Sequence, residues 1–344
     1  MFEVLTTPIV QAPMAGGPTT PALVKAVSDA GGLGFLAGGY STPQQFEQQI
    51  IEMGDRPFGV NVFAPESHRA EDTDIEGYRK ALVPAFTQFG IDTPTLPRFT
   101  DDAFGPKIDI VLRHRPAYCS FTFGLPEPRI LSALKSAGIV VGITTTTRHE
   151  AVEAERCGAD FLILQGPGAG GHSGQFDQSA EPNDTPLPDL LDEVRSSSAL
   201  PLVAAGGVGT PGDAARLLEH GAQAVQIGTR FLTSNEAGTK SCHRRALLEG
   251  LYTETIRTRA FSGRPARGLR NEFIDRFDAD AVVGYPQVNA MVGTVKKAAG
   301  DDPAWQNLWA GTGWAECREQ SAAEIVREFA EHLNTRRPSA PGRA

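Results

Sequence analysis

Eight short apolar runs recur along the first two thirds of this chain, each followed by a turn signal and then by a helical pattern. They read PIVQAP (8–13), LGFLAG (33–38), PFGVNVF (57–63), AYCSFTF (117–123), IVVGIT (139–144), ADFLILQ (159–165), PLVAAG (201–206) and AQAVQIG (222–228). Apolar residues at nearly every position mark strands covered on both faces, the habit of parallel strands joined by crossover helices. The helical patterns between them are PALVKAVSDAG, TPQQFEQQIIEMG, a stretch within 71–89, EPRILSALKSAG, RHEAVEAERCG, LPDLLDEVRSSS and TPGDAARLLEHG. Several open on Thr or Pro and close on Gly, as helix starts and stops do.

Eight such units suit a closed barrel better than an open doubly wound sheet, which usually has fewer strands. The expected fold class is α/β, a (β/α)8 TIM barrel with an added, mainly helical lobe. The barrel is expected over 1–233. After Phe231 the rhythm stops, and 234–310, with KSCHRRALLEGL and YPQVNAMVGTVKKAAG, reads as a helical substrate-binding lobe over the barrel mouth. Segment 311–344 is expected to pack back on the barrel through AAEIVREFAEHL (322–333) and to end in a frayed tail, TRRPSAPGRA. The polar stretch APESHRAEDTD (64–74) is a long excursion after the third strand.

Composition removes several classes of function. Hydrophobic residues make up 40% and charged residues 21%, ordinary values for a folded chain. A formal charge of -9 argues against a nucleic-acid partner, because phosphate-backbone binding needs concentrated Lys and Arg. Cys119, Cys157, Cys242 and Cys317 form no metal-ligand spacing, so no metal is expected and the thiols fit a reducing compartment. No run of 18 apolar residues and no leader pattern occurs, so neither membrane insertion nor export is expected; the location expected is cytoplasmic.

In a barrel of this kind the loops after the strands build the active site, and phosphate commonly sits near the last two strands. AAGGVGTPGDAARLL puts Gly206 and Gly207 at the end of the seventh strand, before a helix with Thr210 as cap, Pro211 first and Asp213 near third. Bare amides at the positive end of a helix suit a phosphate. QIGTRF adds the Gly228 amide and the Thr229 hydroxyl. The same GVGTPG satisfies GxGxxG, but a dinucleotide site wants that turn after the first strand and an acid on the next; AQAVQIGTRFLTSN has none. Glycines here can also serve tight turns alone.

The most telling stretch is QGPGAGGHSG (165–174), five glycines and His172 directly after the sixth strand. Glycine lets backbone approach a ligand and tolerates positive φ. The histidine at that rim can act as a base or, protonated, as a fixed charge. For the other six histidines, including His149, His220 and His332, a structural role is expected.

With these residues in place, the chain resembles the class I nitronate monooxygenases, FMN-dependent enzymes formerly called 2-nitropropane dioxygenases. The resemblance rests on PIVQAPMAGG, FGVNVF, SFTFGLP, GITTTT, QGPGAGGHSG, AAGGVG, QIGTRFL, YPQVNAMVG and LWAGTG, and covers most of the chain. The AGGHxG element is shared with FMN-dependent enoyl-ACP reductases. It implies that Met14 lines the flavin ring and that Asn61 and Gln165 contact the flavin. Gly170 would approach the cofactor, and Gly207, Gln226, Ile227, Gly228 and Thr229 would hold its phosphate end. His172 matches the catalytic histidine. Tyr285 and Lys296 would offer a hydroxyl and a cation to an anionic substrate. Two departures stand out: no lysine in GITTTT, and Thr312 where glutamine is expected. The implied reaction oxidises an alkyl nitronate, such as propionate 3-nitronate, with O2 to a carbonyl compound and nitrite. Its alternatives are an NAD(P)H-dependent FMN reductase of the enoyl-ACP or quinone type, and a non-catalytic module that binds FMN or a sugar phosphate. A homodimer is left open.

Overall fold

A computed structural model describes residues 5–66 and 69–336; of the tail expected to fray, Thr335 and Arg336 instead continue the last helix, and 337–344 lie outside the described residues. β1 (Ile9–Gln11), β2 (Leu33–Ala37), β3 (Gly59–Phe63), β4 (Tyr118–Thr122), β5 (Val140–Thr145) and β6 (Phe161–Gln165) pair in sequence, all parallel. A two-residue strand, β7 (Gly171–His172), leaves the ring, which resumes with β8 (Leu202–Ala205) and β9 (Ala224–Ile227). β9 closes on β1 with Ile9 opposite Val225 and Gln11 opposite Ile227, giving the closed parallel (β/α)8 barrel that the eight apolar runs imply.

The barrel interior is packed with aromatic rings. Phe35, Tyr118 and Phe161 fill it together with Val10, Leu33, Ile163 and Val203. Room for two of these rings comes from glycine directly opposite on the neighbouring strand: Gly59 faces Phe35 and Gly142 faces Phe161. A Cβ on Gly59 would lie 2.3 Å from the Phe35 ring, and one on Gly142 would lie 2.2 Å from that of Phe161.

Outside the ring lie α1 (Pro21–Asp29) and α2 (Pro43–Met53), both opened by a Thr cap and a Pro. Next in the chain come α3 (Asp72–Ala81) and α4 (Val83–Gln88), then α5 (Phe104–His114), α6 (Pro128–Ser136), α7 (Arg148–Cys157), α8 (Leu187–Arg195) and α9 (Pro211–Glu219). After β9 follow α10 (Ser241–Leu248), α11 (Glu272–Phe277), α12 (Gln287–Ala299) and α13 (Ala322–Arg336). Ala322, Ile325, Val326 and Phe329 of α13 enter the same core as α1 and α9, so α13 is the eighth outer helix and residues between β9 and α13 are an insertion.

The sequence expectation placed the third crossover helix within 71–89. Instead α5 does that work: Phe104, Ile108 and Val111, spaced by four and three, bury one face in the barrel core. Gly105 and Pro106 disguise it as a turn, although Pro is tolerated in a first helical turn. Ile75 and Tyr78 of α3 and Phe86 of α4 join Phe273, Val288, Met291 and Trp305 in a second core, so the excursion after β3 belongs with the inserted lobe. That lobe also holds β10 (Thr255–Thr258) and β11 (Ala266–Leu269), antiparallel to each other, with β11 pairing on to β7. The Arg-rich segment TETIRTRAFSGRPARGL shows no clean apolar alternation, which is why no strand is legible there. Among the described residues, no helix is long and apolar enough to cross a membrane.

The variant Gly142→Ala is expected to lower stability by about 1–3 kcal/mol through overpacking against Phe161. Urea unfolding checks this, and the double variant with Phe161→Leu should recover part of the loss.

Candidate active site

At the C-terminal ends of the strands, under the inserted lobe, lies a cavity of about 490 Å³. Met14, Asn61, Gln165, Gly170, His172, Gly206, Gly207, Gln226, Ile227, Gly228, Thr229 and Lys296 all line it, from elements scattered along the chain. Tyr285 stands behind this wall, 5% exposed, with its ring centroid 5.6 Å from that of His172. Its hydroxyl donates to that of Tyr40, a cavity-lining residue that nothing in the local sequence pattern singles out.

The polar side chains of the strand ends are braced by the barrel itself. Asn61 Nδ2 donates to Ser120 Oγ at 2.9 Å and Thr122 Oγ1 at 3.1 Å, and Thr122 meets the Thr144 hydroxyl at 3.2 Å. In place of a lysine, the fifth-strand motif thus supplies a hydroxyl to this network. Gln165 holds the glycine loop: its Nε2 donates to the His172 carbonyl at 3.1 Å and its Oε1 accepts from the Gly174 amide at 2.6 Å. Gln226 Oε1 is buried without a hydrogen-bond partner among the described residues. A buried acceptor left in this state is costly unless a ligand fills it.

The glycines have separable causes. Gly206 and Gly207 adopt φ of 115° and 75°, which disfavour any side chain. Gly170 is needed for protein packing, because a Cβ there would lie 2.4 Å from the Gly311 amide nitrogen. Thr312 belongs to the same contact: its amide donates to the Gly168 carbonyl at 3.0 Å, and a Cβ on Gly168 would lie 2.7 Å from its hydroxyl. Segment 310–313 therefore lies directly on the glycine loop. The start of α9 follows the expected cap, with Thr210 Oγ1 accepting from Asp213 N–H. Asp213 in turn accepts from the Gly209 and Thr210 amides, so those donors are already occupied. An anion at this end has instead the bare backbone of Gly206, Gly207 and Gly228.

His172 sits in an aromatic enclosure. Phe123, Tyr285 and Trp309 place ring centroids 5.9, 5.6 and 5.4 Å from the imidazole. The Arg264 guanidinium lies 4.0 Å from the centre of the Phe123 ring and is fully buried. It pairs with Glu66 and donates to the carbonyls of Ser173, at 3.2 Å, and Gln175, so it grips the loop immediately after His172. The His172 pKa is pushed down to about 3, first by burial and then by the charges of Arg264 and Lys296. The imidazole at rest is neutral. Of the two roles open to it on sequence grounds, this environment rules against a resting fixed charge and leaves the unprotonated imidazole available to accept a proton, at lowered basicity.

Positive charge comes instead from the lobe. Lys296 has its pKa lowered to about 8 by burial and by Lys240, so it is a cation at neutral pH. His243, grouped on sequence with the structural histidines, also lines the cavity; burial holds its pKa down to about 4. Among the described residues, no Asp or Glu side chain lines the cavity. Nor is any cluster of three or more His, Cys, Asp or Glu placed to hold a metal. A concave, carboxylate-free chamber with a half-buried ammonium and a neutral imidazole selects for anions.

The nitronate monooxygenase profile matches residues 1–332. The chain belongs to the nitronate monooxygenase family. A probable nitronate monooxygenase of Bacillus subtilis is 36% identical over 336 residues, covering 95% of this chain and 96% of its own. Among solved structures, a nitroalkane oxidase from Streptomyces ansochromogenes superposes with a TM-score of 0.91 at 38% identity, covering 98% of both chains. FabK from Thermotoga maritima shares the fold, with a TM-score of 0.74 at 24% identity, covering 97% of this chain and 94% of its own. As a member of this family the chain is an oxidoreductase.

Removing the buried cation by Arg264→Met breaks a buried ion pair with Glu66 and frees two loop carbonyls, and is expected to cost about 3–5 kcal/mol of stability. Denaturant unfolding measures that loss, and hydrogen exchange at Ser173–Gln175 should quicken in the variant.

Proposed function

We propose that this protein binds FMN in the cavity and oxidises alkyl nitronates, propionate 3-nitronate among them, with O2 as oxidant. Two nitronates share one O2: in each the carbon–nitrogen bond breaks, the nitrogen leaves as nitrite, and one of the two oxygen atoms takes its place, so that two carbonyl compounds and two nitrites form with no other reductant. One observation carries the reading: a neutral imidazole and a half-buried ammonium line the same chamber, which has no lining carboxylate among the described residues.

The residues present fit FMN. Gly206, Gly207 and Gly228 expose backbone where a phosphate can approach, with the Thr229 hydroxyl beside them, and the orphaned Gln226 Oε1 offers an acceptor to a ligand donor. Ile227 and Gly170 belong to the same wall, and Met14 offers an apolar surface to a flat ring. Asn61 spends its Nδ2 on the barrel and keeps its carbonyl oxygen as acceptor; Gln165 keeps one Nε2 hydrogen. When bound, FMN supplies the electron-accepting chemistry.

The chain's own residues would then do three things. Lys296 pairs with the anionic substrate and draws it into the chamber. The aromatic enclosure of Phe123, Tyr285 and Trp309 excludes water around His172, which strengthens every charge interaction there. His172 receives the α-proton when the substrate arrives as a neutral nitroalkane, and orients the nitronate when it does not.

Oxygen uptake and nitrite release with a nitronate test the activity. Replacing His172 by Asn is expected to retain the flavin spectrum and depress turnover by about 10²-fold or more; unchanged turnover removes His172 from the mechanism. Rapid flavin bleaching by NADH or NADPH without oxygen would favour the reductase reading instead.

The pH dependence follows from the same groups. Lys296 is protonated below its lowered pKa of about 8, so KM for the nitronate is expected to rise as pH climbs past that value. Lys296→Ala should raise KM by about tenfold or more at neutral pH and remove that alkaline rise. With a pKa near 3, the neutral His172 adds no acid limb around its ordinary value of 6.5.

A further inference from the structure

A histidine that acts as a base has two nitrogens, and which of them is basic depends on what the other one touches. Here the second partner is resolved. His172 Nε2 lies 2.9 Å from the hydroxyl of Ser262, ninety residues further along the chain and 1% exposed. That hydroxyl is already engaged, donating to the Arg264 carbonyl at 3.1 Å and accepting from the Arg264 amide at 3.3 Å.

A serine hydroxyl has a single hydrogen to give. Among the described residues, Ser262 is the one donor to the buried Arg264 carbonyl. Turning the hydroxyl hydrogen toward His172 would leave that carbonyl unpaired, a cost comparable with a lost hydrogen bond. With the hydrogen on Arg264 O, the oxygen faces His172 as an acceptor, so Nε2 must carry the proton. Nδ1 is then the lone-pair nitrogen, and it meets no hydrogen-bond partner among the described residues.

The turn that presents Ser262 is rigid. The amides of Ser262 and Gly263 both donate to the Arg259 carbonyl, at 3.2 and 2.8 Å, and Gly263 has φ of 77° with Gly284 packed against it. The backbone of His172 is fixed independently, opposite Ala266 in the β7–β11 ladder. Neither end of the contact can drift without breaking a second interaction.

We propose that Ser262 is a positioning residue that holds His172 as the Nε2–H tautomer, making Nδ1 the nitrogen that exchanges a proton with substrate. The part concerning proton exchange rests on His172 being the base in the proposed function; the tautomer does not.

The test is nitrogen NMR of the flavin-loaded enzyme with labelled histidine, His172 being assigned by its loss in H172N. The expected spectrum has a protonated Nε2 and an unprotonated Nδ1. In Ser262→Ala the Nε2–H preference should be lost, and kcat with a neutral nitroalkane should fall by about tenfold, more than kcat with the preformed nitronate, which needs no proton abstraction. Ser262→Thr, which keeps the hydroxyl, should restore both. A wild-type spectrum with the proton on Nδ1, or a Ser262→Ala spectrum identical to wild type, overturns the proposal even if no variant folds well enough for kinetics. An H172N enzyme with full turnover overturns the base assignment instead, and the resting-state spectrum tells the two failures apart.

Discussion

Much of this molecule hangs on one buried guanidinium. Arg264 reaches from the inserted lobe across the barrel mouth, pairs with Glu66 from the excursion after β3, and bonds two carbonyls of the loop that follows β6. Three stretches far apart in the chain meet at this one side chain, and each would otherwise be an irregular loop over a cavity. Burying a charge is tolerable only when it is paired and hydrogen-bonded, and Arg264 is paired with Glu66 and has an acceptor at each of its three guanidinium nitrogens. Its field then acts on the neighbouring imidazole, so the group that assembles the site also adds to burial in holding His172 neutral.

The barrel was legible because its signal is local. A parallel strand buried on both faces must be apolar throughout, and each observed strand lies within two residues of its apolar run. Where local signals conflict, legibility fails: Gly105 and Pro106 conceal α5, while the amphipathic 71–89 offers a plausible substitute that packs elsewhere. The small sheet of β7, β10 and β11 is invisible for another reason. Its strands are two to four residues long, β10 and β11 each carry an arginine, and β7 gains its meaning only from pairing with a segment about a hundred residues away.

Site residues divide the same way. Gly206, Gly207, Gly228, Thr229 and His172 were legible because barrel geometry dictates where strand-end loops gather, whereas Met14, Asn61, Gln165, Gly170, Gln226 and Ile227 were named only through the family resemblance; all of them line the cavity. Tyr40, His243, Ser262 and Arg264 were found by neither route, since each matters through a partner that only the folded chain brings near. One clue was present: GRPARG holds two arginines between turn residues, an odd composition for a surface loop.

The position of α13 has a consequence for biogenesis. Its apolar face fills the gap between α1 and α9, yet the whole lobe must be synthesised before it emerges. Until then the nascent barrel carries an uncovered greasy seam joining its first and last strands, the sort of surface that chaperones recognise and that invites premature association. Shortening the lobe would therefore bear on yield from the ribosome as well as on chemistry at the mouth.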